Sequence, residues 1–328
     1  MTQGVSVRVP ATTANLGVGF DVLGLALELS ATYAIVPARK LLVTGCDERF
    51  RGEDNLVWTS YLAACGTLGI EPRPLHIHEE SPIPGSGGLG ASSTCVVAGI
   101  VAAQALAGRR IDRALTASLA TRIEGHPDNV APAVMGGLVS SYVEGDQTVT
   151  TRWVVASNLR FVCMAPPYRV LTADARRALP AMVPMSSVSW QVGRCLAMVS
   201  ALASGRADDI AACCHDRIHE PYRAPLIPDF ERLRDCALEA GACTFLISGS
   251  GAAMLAVCDG ASSAERVGRA ARGLMPDLWV RTMRASEHGA SATALPGPMP
   301  DPMGTSSRRV GPTPPGLSQC SDNERNLA

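Results

Sequence analysis

Three short stretches hold the residues that could do chemistry. The first is Pro84-Gly85-Ser86-Gly87-Gly88-Leu89-Gly90-Ala91-Ser92-Ser93-Thr94, with four glycines in its first seven residues. Glycine costs backbone entropy and packs nothing, so glycines grouped like this let consecutive N–H groups turn inward and approach a ligand. Residues 92–107 are small and apolar, contain no proline, and are followed by Gly108, which predicts a helix with a defined end. A glycine loop feeding a helix N-terminus favours anions, because unpaired N–H groups and the helix dipole both attract negative charge. The ligand implied is a phosphate. The second stretch, Glu124-Gly125-His126-Pro127-Asp128-Asn129-Val130-Ala131-Pro132, gathers a carboxylate, an imidazole, a second carboxylate and an amide within six residues. It reads as a loop between apolar segments, where acid–base chemistry is expected, or as a plain helix connection. The third runs from Pro10 to Asp21 and sets Asn15 and Asp21 among glycines and apolar residues. Its surroundings point the polar pair at something specific, with a solvated turn as the alternative.

Other phosphate loops fit less well. Residues 85–90 match G-x-G-x-x-G, but a dinucleotide site needs the loop directly after a first strand and an acid about 20 residues on. Here Glu79, Glu80, Ser81 and Pro82 intervene, and Arg109 and Arg110 stand where the second strand should approach. A Walker loop needs Gly-Lys-Ser/Thr, and the only lysine among 29 basic residues is Lys40. That lysine is also the only one open to Schiff-base or general-base chemistry.

With 328 residues the chain can form two domains, each with a core. A net charge of −1 argues against general electrostatic binding to nucleic acid or membranes. No run of 18 apolar residues occurs, and the N-terminus lacks the charged-then-apolar order of a signal peptide, so the expected compartment is the cytoplasm. The 11 cysteines are scattered without a Cys-x-x-Cys pair and read as reduced, mostly buried small hydrophobes. Cys213, Cys214, His215 and His219 superficially resemble a metal-ligand cluster, but a helix with two small apolar and two polar residues explains them more simply.

Elements that must position these stretches follow from periodicity. Val5, Val7 and Val9 alternate with polar residues and predict a strand. Residues 22–30, 32–36 and 41–43 read as further strands, and Asp54 as the cap of a helix over 55–68. Leu75 and Ile77 alternate with His76 and His78, a strand with a solvated histidine face. After the glycine loop and its helix, Asp112 caps a helix to Ile123, and 138–143 reads as a strand. A boundary is expected near 144–151. Beyond it come strands at 153–155 and 161–164, helices at 172–179, 187–202, 206–215 and 229–239, and strands at 244–247 and 254–257 around the tight loop 248–251. A helix at 263–272 and a strand at 278–283 end the series. The resulting expectation is a nucleotide-binding domain over 1–150 and a second domain over 151–290. Residues 291–328 become a tail rich in Pro, Gly and Ser, disordered from 296 on because it has too little apolar surface to offset ordering entropy.

Taken together, the loops resemble the homoserine kinase branch of the GHMP small-molecule kinases, which also include galactokinase, mevalonate and phosphomevalonate kinases. The resemblance covers about residues 4–290 and rests on three motifs in order: 10–21, 84–93 and 247–251. Pro-Ala-Thr-x-Ala-Asn-Leu-Gly-x-Gly-Phe-Asp and the 124–132 stretch mark the homoserine branch. It implies an α+β fold, with an N-terminal domain like ribosomal protein S5 domain 2 and a C-terminal ferredoxin-like domain. It implies ATP phosphates wrapped by 84–94, with Asn55 near the adenine, and Mg²⁺ on Ser92 and Glu124. Asn15, Asp21 and Asn129 would hold the amino and hydroxyl ends of L-homoserine. Arg176 and Arg223, in Thr172-Ala-Asp-Ala-Arg176 and Glu220-Pro-Tyr-Arg223, would grip its carboxylate bidentately. Residues 248–251 would complete the wall near the nucleotide. Ala91 departs from the motif, which has serine there, and loses one hydroxyl donor worth on the order of 1 kcal/mol.

The activity implied is transfer of the ATP γ-phosphoryl group to the homoserine hydroxyl, a step of threonine biosynthesis that depends on positioning and charge neutralisation. Asp128 and His126 are the two candidates for a catalytic base. The partner implied is the small-molecule substrate, with no nucleic acid or membrane, and a homodimer is compatible with the resemblance. Two alternatives stand beside it. One is a kinase of the same fold acting on another hydroxy amino acid such as threonine. The other is a nucleotide-binding relative that has lost catalysis, against which Asp128, Arg176 and Arg223 argue, since a binder needs none of them.

Overall fold

The computed structural model describes residues 4–85 and 87–295. Ser86 and residues 296–328 lie outside them, and with them the expected disordered tail. The first lobe runs β1 (Val5–Ala14), β2 (Leu23–Pro37), β3 (Leu42–Thr44), α1 (Leu56–Leu68), β4 (Leu75–Glu80), α2 (Ala91–Leu106), α3 (Arg113–Glu124), α4 (Pro127–Met135), β5 (Leu138–Glu144) and β6 (Gln147–Trp153). Two strands expected over 22–36 are one strand of 15 residues. The small polar residues Ser30 and Thr32 look like a break, but both pair with β1, opposite Pro10 and Arg8. Helix α1 is capped by Asn55 rather than Asp54: the Asn55 side chain accepts from the amides of Val57 and Trp58. The stretch 124–132, expected as a loop, is mostly helical. Pro127 sits in the first turn of α4, where its missing N–H costs nothing, and Asp128 follows at the favourable end of the dipole.

The second lobe continues with β7 (Leu159–Ala165), α5 (Thr172–Arg177), α6 (Met185–Ser204), α7 (Ala207–Cys213), α8 (Glu220–Arg223), α9 (Phe230–Glu239), β8 (Thr244–Ile247), β9 (Met254–Asp259), α10 (Gly260–Leu274) and β10 (Trp279–Met283). Its sheet has the order β10-β7-β9-β8. The first sheet has the order β11-β1-β2-β4-β3, with β5 on β2 and β6 on β5, where β11 is Ser291–Ala294. Apart from the parallel β3–β4 pair, the strand pairs are antiparallel. The architecture is the α+β one expected, with helices laid on antiparallel sheets.

Both expected boundaries move. The break at 150 falls inside β6, which pairs with β5 along its length (Ser140 opposite Thr151, Val139 opposite Arg152). Residues 291–294, assigned to the tail, pair with β1 from Arg8 to Val5. The chain returns to the first lobe already at 284–290, where the Ser286 amide donates to the Ala26 carbonyl (2.8 Å) and the Ala290 amide to the Ala133 carbonyl (2.7 Å). Ser-Ala-Thr-Ala has too little apolar bulk to read as a strand alone, and the unpaired edge of β1 supplies what it lacks.

The lobes also share a core. Along β7, Phe161, Cys163 and Ala165 join the same cluster as Val7, Leu27 and Ile100 of the first lobe. The alternate residues Val162 and Met164 face a second cluster with Leu233 of α9 and Val267 of α10. A strand buried on both faces loses the polar alternation of a surface strand.

Candidate active site

A cleft of about 350 Å³ opens between the lobes, and one wall is backbone. Gly88 and Gly90 have φ of 89° and 67°, the left-handed region that glycine tolerates. A Cβ on Gly90 would lie 2.1 Å from Thr12 Oγ1, and one on Gly88 2.3 Å from the Ser248 carbonyl oxygen, so the loop is wedged between β1 and the 248–251 turn. The Leu89 carbonyl accepts from the Thr12 amide (3.2 Å), and the Gly87 carbonyl from the Ala253 amide (3.3 Å). Gly90 begins α2 with no side-chain cap. The first-turn amides of this helix are therefore left for a ligand, and the dipole adds partial positive charge.

Beside that N-terminus, Ser92 Oγ donates to Glu124 Oε1 in a very short contact. Glu124 ends α3 and Ser92 opens α2, so two helix termini bring a hydroxyl and a carboxylate together. Burial pushes the Glu124 carboxyl up from its ordinary value, and nearby Asp128 adds to this, while the Ser92 hydrogen bond and His126 oppose it. Two hard oxygens facing a phosphate loop fit a divalent cation that arrives with a nucleotide. Among the described residues no group of three His, Cys, Asp or Glu side chains is arranged to hold a metal alone.

The floor is the turn from α3 into α4. His126 Nδ1 lies 2.5 Å from Asp128 Oδ1, and Asp128 is buried. Burial works against charge on His126, but the Asp128 hydrogen bond and the Asp128 and Glu124 charges outweigh it, so its pKa is raised. Asn129, next on α4, accepts through Oδ1 from Thr12 Oγ1 (2.8 Å), which fixes the amide with its N–H₂ side free to donate. Gly24 lets the helix approach β2, since a Cβ there would lie 1.7 Å from the Asp128 carbonyl oxygen.

The opposite wall is made of side chains. Arg176 pairs with Asp21 bidentately, Nη1 to Oδ2 at 3.1 Å and Nη2 to Oδ1 at 3.2 Å. Arg223 is buried, donates from Nε to the Ala175 carbonyl (3.3 Å) and from Nη1 to the Gly249 carbonyl (3.1 Å), and lies 5.1 Å from the Phe20 ring centre. Burial and the charge of Arg176 both lower its pKa. The Asp21 carboxylate is thus taken up by Arg176, while Arg223 bonds backbone carbonyls and meets the charges of Asp21, Asp128 and Asp216 without an ion pair among the described residues.

Comparison with known proteins matches residues 55–137 to the GHMP kinases N terminal domain and 198–277 to the GHMP kinases C terminal domain. The homoserine kinase of Thermus thermophilus is 41% identical over 251 residues, covering 76% of this chain and 85% of that one. The homoserine kinase of Moorella thermoacetica is 38% identical over 258 residues, 77% of this chain and 87% of its own. A crystal structure of homoserine kinase from Cytophaga hutchinsonii superposes with a TM-score of 0.82 at 30% identity, over 89% of this chain and 98% of that one. The chain belongs to the GHMP kinase family, in its homoserine kinase branch.

For a GHMP kinase the cleft gathers most of the residues singled out in the sequence. Asn15, Asp21, Gly85, Gly87, Gly88, Gly90, Ala91, Ser92, Ser93, Glu124, His126, Asp128, Asn129, Arg176 and Arg223 all line it. Pro84, Leu89 and Thr94 do not: they are buried in the structure that carries the loop, and the Thr94 hydroxyl is bonded to Tyr33 (2.8 Å). Asn55 is spent as the α1 cap and donates to the Phe50 carbonyl (2.9 Å), while its neighbour Leu56 lines the cleft. Asn15 lines the cleft with its amide already engaged: Nδ2 donates to the Gly249 carbonyl (2.9 Å), and Oδ1 accepts the Asp21 amide (2.9 Å). The sequence does not single out Thr12 or Arg169. Thr12 carries no signal beyond its place in the 10–21 motif. Arg169 lines the cleft from the segment before α5, exposed and in no ion pair among the described residues. His219 is also not a metal ligand: it is buried and bonds the Gly17 carbonyl.

Proposed function

We propose that the protein is a homoserine kinase, transferring the γ-phosphoryl group of ATP to the side-chain hydroxyl of L-homoserine. The observation that carries this reading is the pairing of walls. An uncapped helix start with a glycine loop faces two arginines and one aspartate across a single cleft. The first suits polyphosphate, and the second suits a zwitterion. In the free protein, Asp21 and Arg176 neutralise each other. An α-amino acid exchanges that one ion pair for two, its carboxylate on Arg176 and Arg223 and its ammonium on Asp21, with the Asn129 amide near the hydroxyl end.

The transfer needs charge neutralised more than it needs covalent help. The loop amides and the α2 dipole stabilise the phosphates. Ser92 and Glu124 would hold Mg²⁺, which when bound supplies a Lewis acid to the phosphate oxygens. The oxygen of the substrate hydroxyl forms the new bond to phosphorus as the bond to the ADP oxygen breaks. The hydroxyl proton passes to Asp128, whose other oxygen is tied to His126. Asp128 rather than His126 is assigned as acceptor because it lines the cleft as a buried carboxylate and holds the Nδ1 face of the imidazole at 2.5 Å. A cytoplasmic enzyme goes with this reading, and a homodimer is the assembly to test by analytical ultracentrifugation. Among the described residues no helix is long and apolar enough to cross a membrane.

ADP release measured with homoserine, threonine, serine and mevalonate in parallel tests the assignment. Homoserine should give the highest kcat/KM; preference for threonine, or no turnover of any amino acid, would overturn it.

A further inference from the structure

The substrate loop 15–21 is backbone under strain. Asn15, Leu16 and Asp21, none of them glycine, have φ of 69°, 45° and 55°. Side chains with a Cβ stay in that region only when their surroundings over-determine them. The surroundings here come from the second lobe. His219 Nε2 lies 2.7 Å from the Gly17 carbonyl oxygen, and its ring stacks on Phe20 with centres 5.4 Å apart. Gln191 Nε2 donates to the Val18 carbonyl (2.9 Å) and to Asp216 Oδ1 (2.5 Å). Asp216 Oδ2 in turn accepts the amides of Ile218, His219 and Glu220, at 3.1, 2.7 and 2.6 Å, which fixes the start of α8 and hence Arg223.

We propose that His219, backed by Gln191 and Asp216, is a positioning residue that clamps loop 15–21 so that Asn15 and Asp21 face the amino-acid substrate. The inference rests on the homoserine site proposed above. The chemistry of the ring excludes a role in proton transfer. A carbonyl oxygen can only accept, so Nε2 carries the hydrogen and the ring stands as that tautomer. Nδ1 has no hydrogen-bond partner among the described residues, and the side chain is fully buried, 0% exposed, with no route to a reacting hydroxyl. What the ring supplies is one donor to a loop carbonyl and one flat face to Phe20. Asp216 sits at the branch point: one oxygen serves the clamp on the loop, and the other serves the helix that carries Arg223. Both sides of the amino-acid wall are therefore set by one buried carboxylate.

Two substitutions separate the parts. His219→Phe keeps a ring against Phe20 and removes the donor, leaving the Gly17 carbonyl unsatisfied. His219→Gln keeps an N–H at nearly the same reach and removes the ring. Steady-state kinetics on folded full-length protein should show KM for homoserine raised about tenfold or more in His219→Phe, with KM for ATP within about twofold of the parent. His219→Gln should recover most of that loss. Gln191→Met, which cuts the second clamp without touching His219, should show the same split and keeps the test open if His219→Phe does not fold. Equal changes in both KM values, no rescue by glutamine, or normal homoserine kinetics in Gln191→Met would overturn the clamp. Turnover of homoserine by the unaltered protein is measured first. Its absence would refute the homoserine assignment itself, whereas a normal parent with unsplit variants refutes only the clamp.

Discussion

The two walls of the cleft are built on different principles. The phosphate wall is contiguous in sequence: one glycine loop, one helix start, and a carboxylate from the end of the following helix. Its donors are mainly backbone amides, which cannot be mutated away and whose geometry is set by a few left-handed glycines. The amino-acid wall is assembled from residues far apart in the chain. Arg176 and Asp21 are separated by 155 positions, and Arg223 is held through carbonyls of residues 175 and 249. Its donors are side chains, so its selectivity is adjustable and its integrity depends on how the lobes meet. A polyphosphate can be bound by local structure, whereas recognition of both charges of an amino acid needs tertiary structure.

The sharpest way to break that contrast is at Glu124, the one charged side chain assigned to the phosphate wall. Glu124→Gln should lower kcat by about 100-fold or more and raise the magnesium requirement while leaving the melting temperature unchanged, since an anchoring ligand is lost without loss of volume. In the parent the raised pKa of Glu124 in the free protein should also shift the acid limb of kcat/KM upward, with activity falling as pH falls through it. That limb should vanish in the glutamine variant, and normal turnover at limiting magnesium would remove Glu124 from the site.

On the other wall, Arg176→Ala should raise KM for homoserine more than tenfold and change KM for ATP little. Losing one partner of a bound carboxylate typically costs about 2–5 kcal/mol. Equal effects on both substrates would make Arg176 a structural residue, and the walls would not be separable.

The Asp128–His126 pair joins the walls and can be read by NMR titration. Asp128→Asn removes the interaction that outweighs burial, so the His126 pKa should fall below its ordinary value. The sign extends to stability. A histidine with a raised native pKa adds stability below its unfolded pKa near about 6.5 and loses it as pH rises through the native value. The asparagine variant should lose that gain. An unchanged titration would mean that Asp128 does not control His126.

The smallest expected effect is at Ala91. Ala91→Ser restores a hydroxyl beside the phosphates and should lower KM for ATP by about fivefold, one hydrogen bond's worth near 1 kcal/mol, with KM for homoserine unaltered. No change would show that the backbone amide already does what the side chain would.

The same contrast explains what could be read from the sequence. The glycine loop, the helix after it and the Asp112 cap announce themselves by local composition. The 124–132 stretch looks like a loop because proline and glycine flank its polar residues, although Pro127 in a first turn starts a helix. Strand β11 has the composition of the tail, because four small residues have no signal without the edge of β1 to pair with. Motif resemblance marks Asp21, Arg176 and Arg223, but not the Asp21–Arg176 ion pair, nor Thr12 as the residue that orients Asn129. Gln191 lies in ordinary helical sequence and His219 at the residue before α8, and only the contact between lobes turns them toward loop 15–21.

A crystal structure with a non-hydrolysable ATP analogue and homoserine bound together tests the division of the cleft most directly. The triphosphate should lie along residues 85–93 with Ser92 and Glu124 at the metal. The homoserine carboxylate should sit on Arg176 and Arg223, with Asp21 transferred to the ammonium. Homoserine bound with the Asp21–Arg176 pair still closed, or phosphates held by the arginines instead of the loop amides, would contradict it.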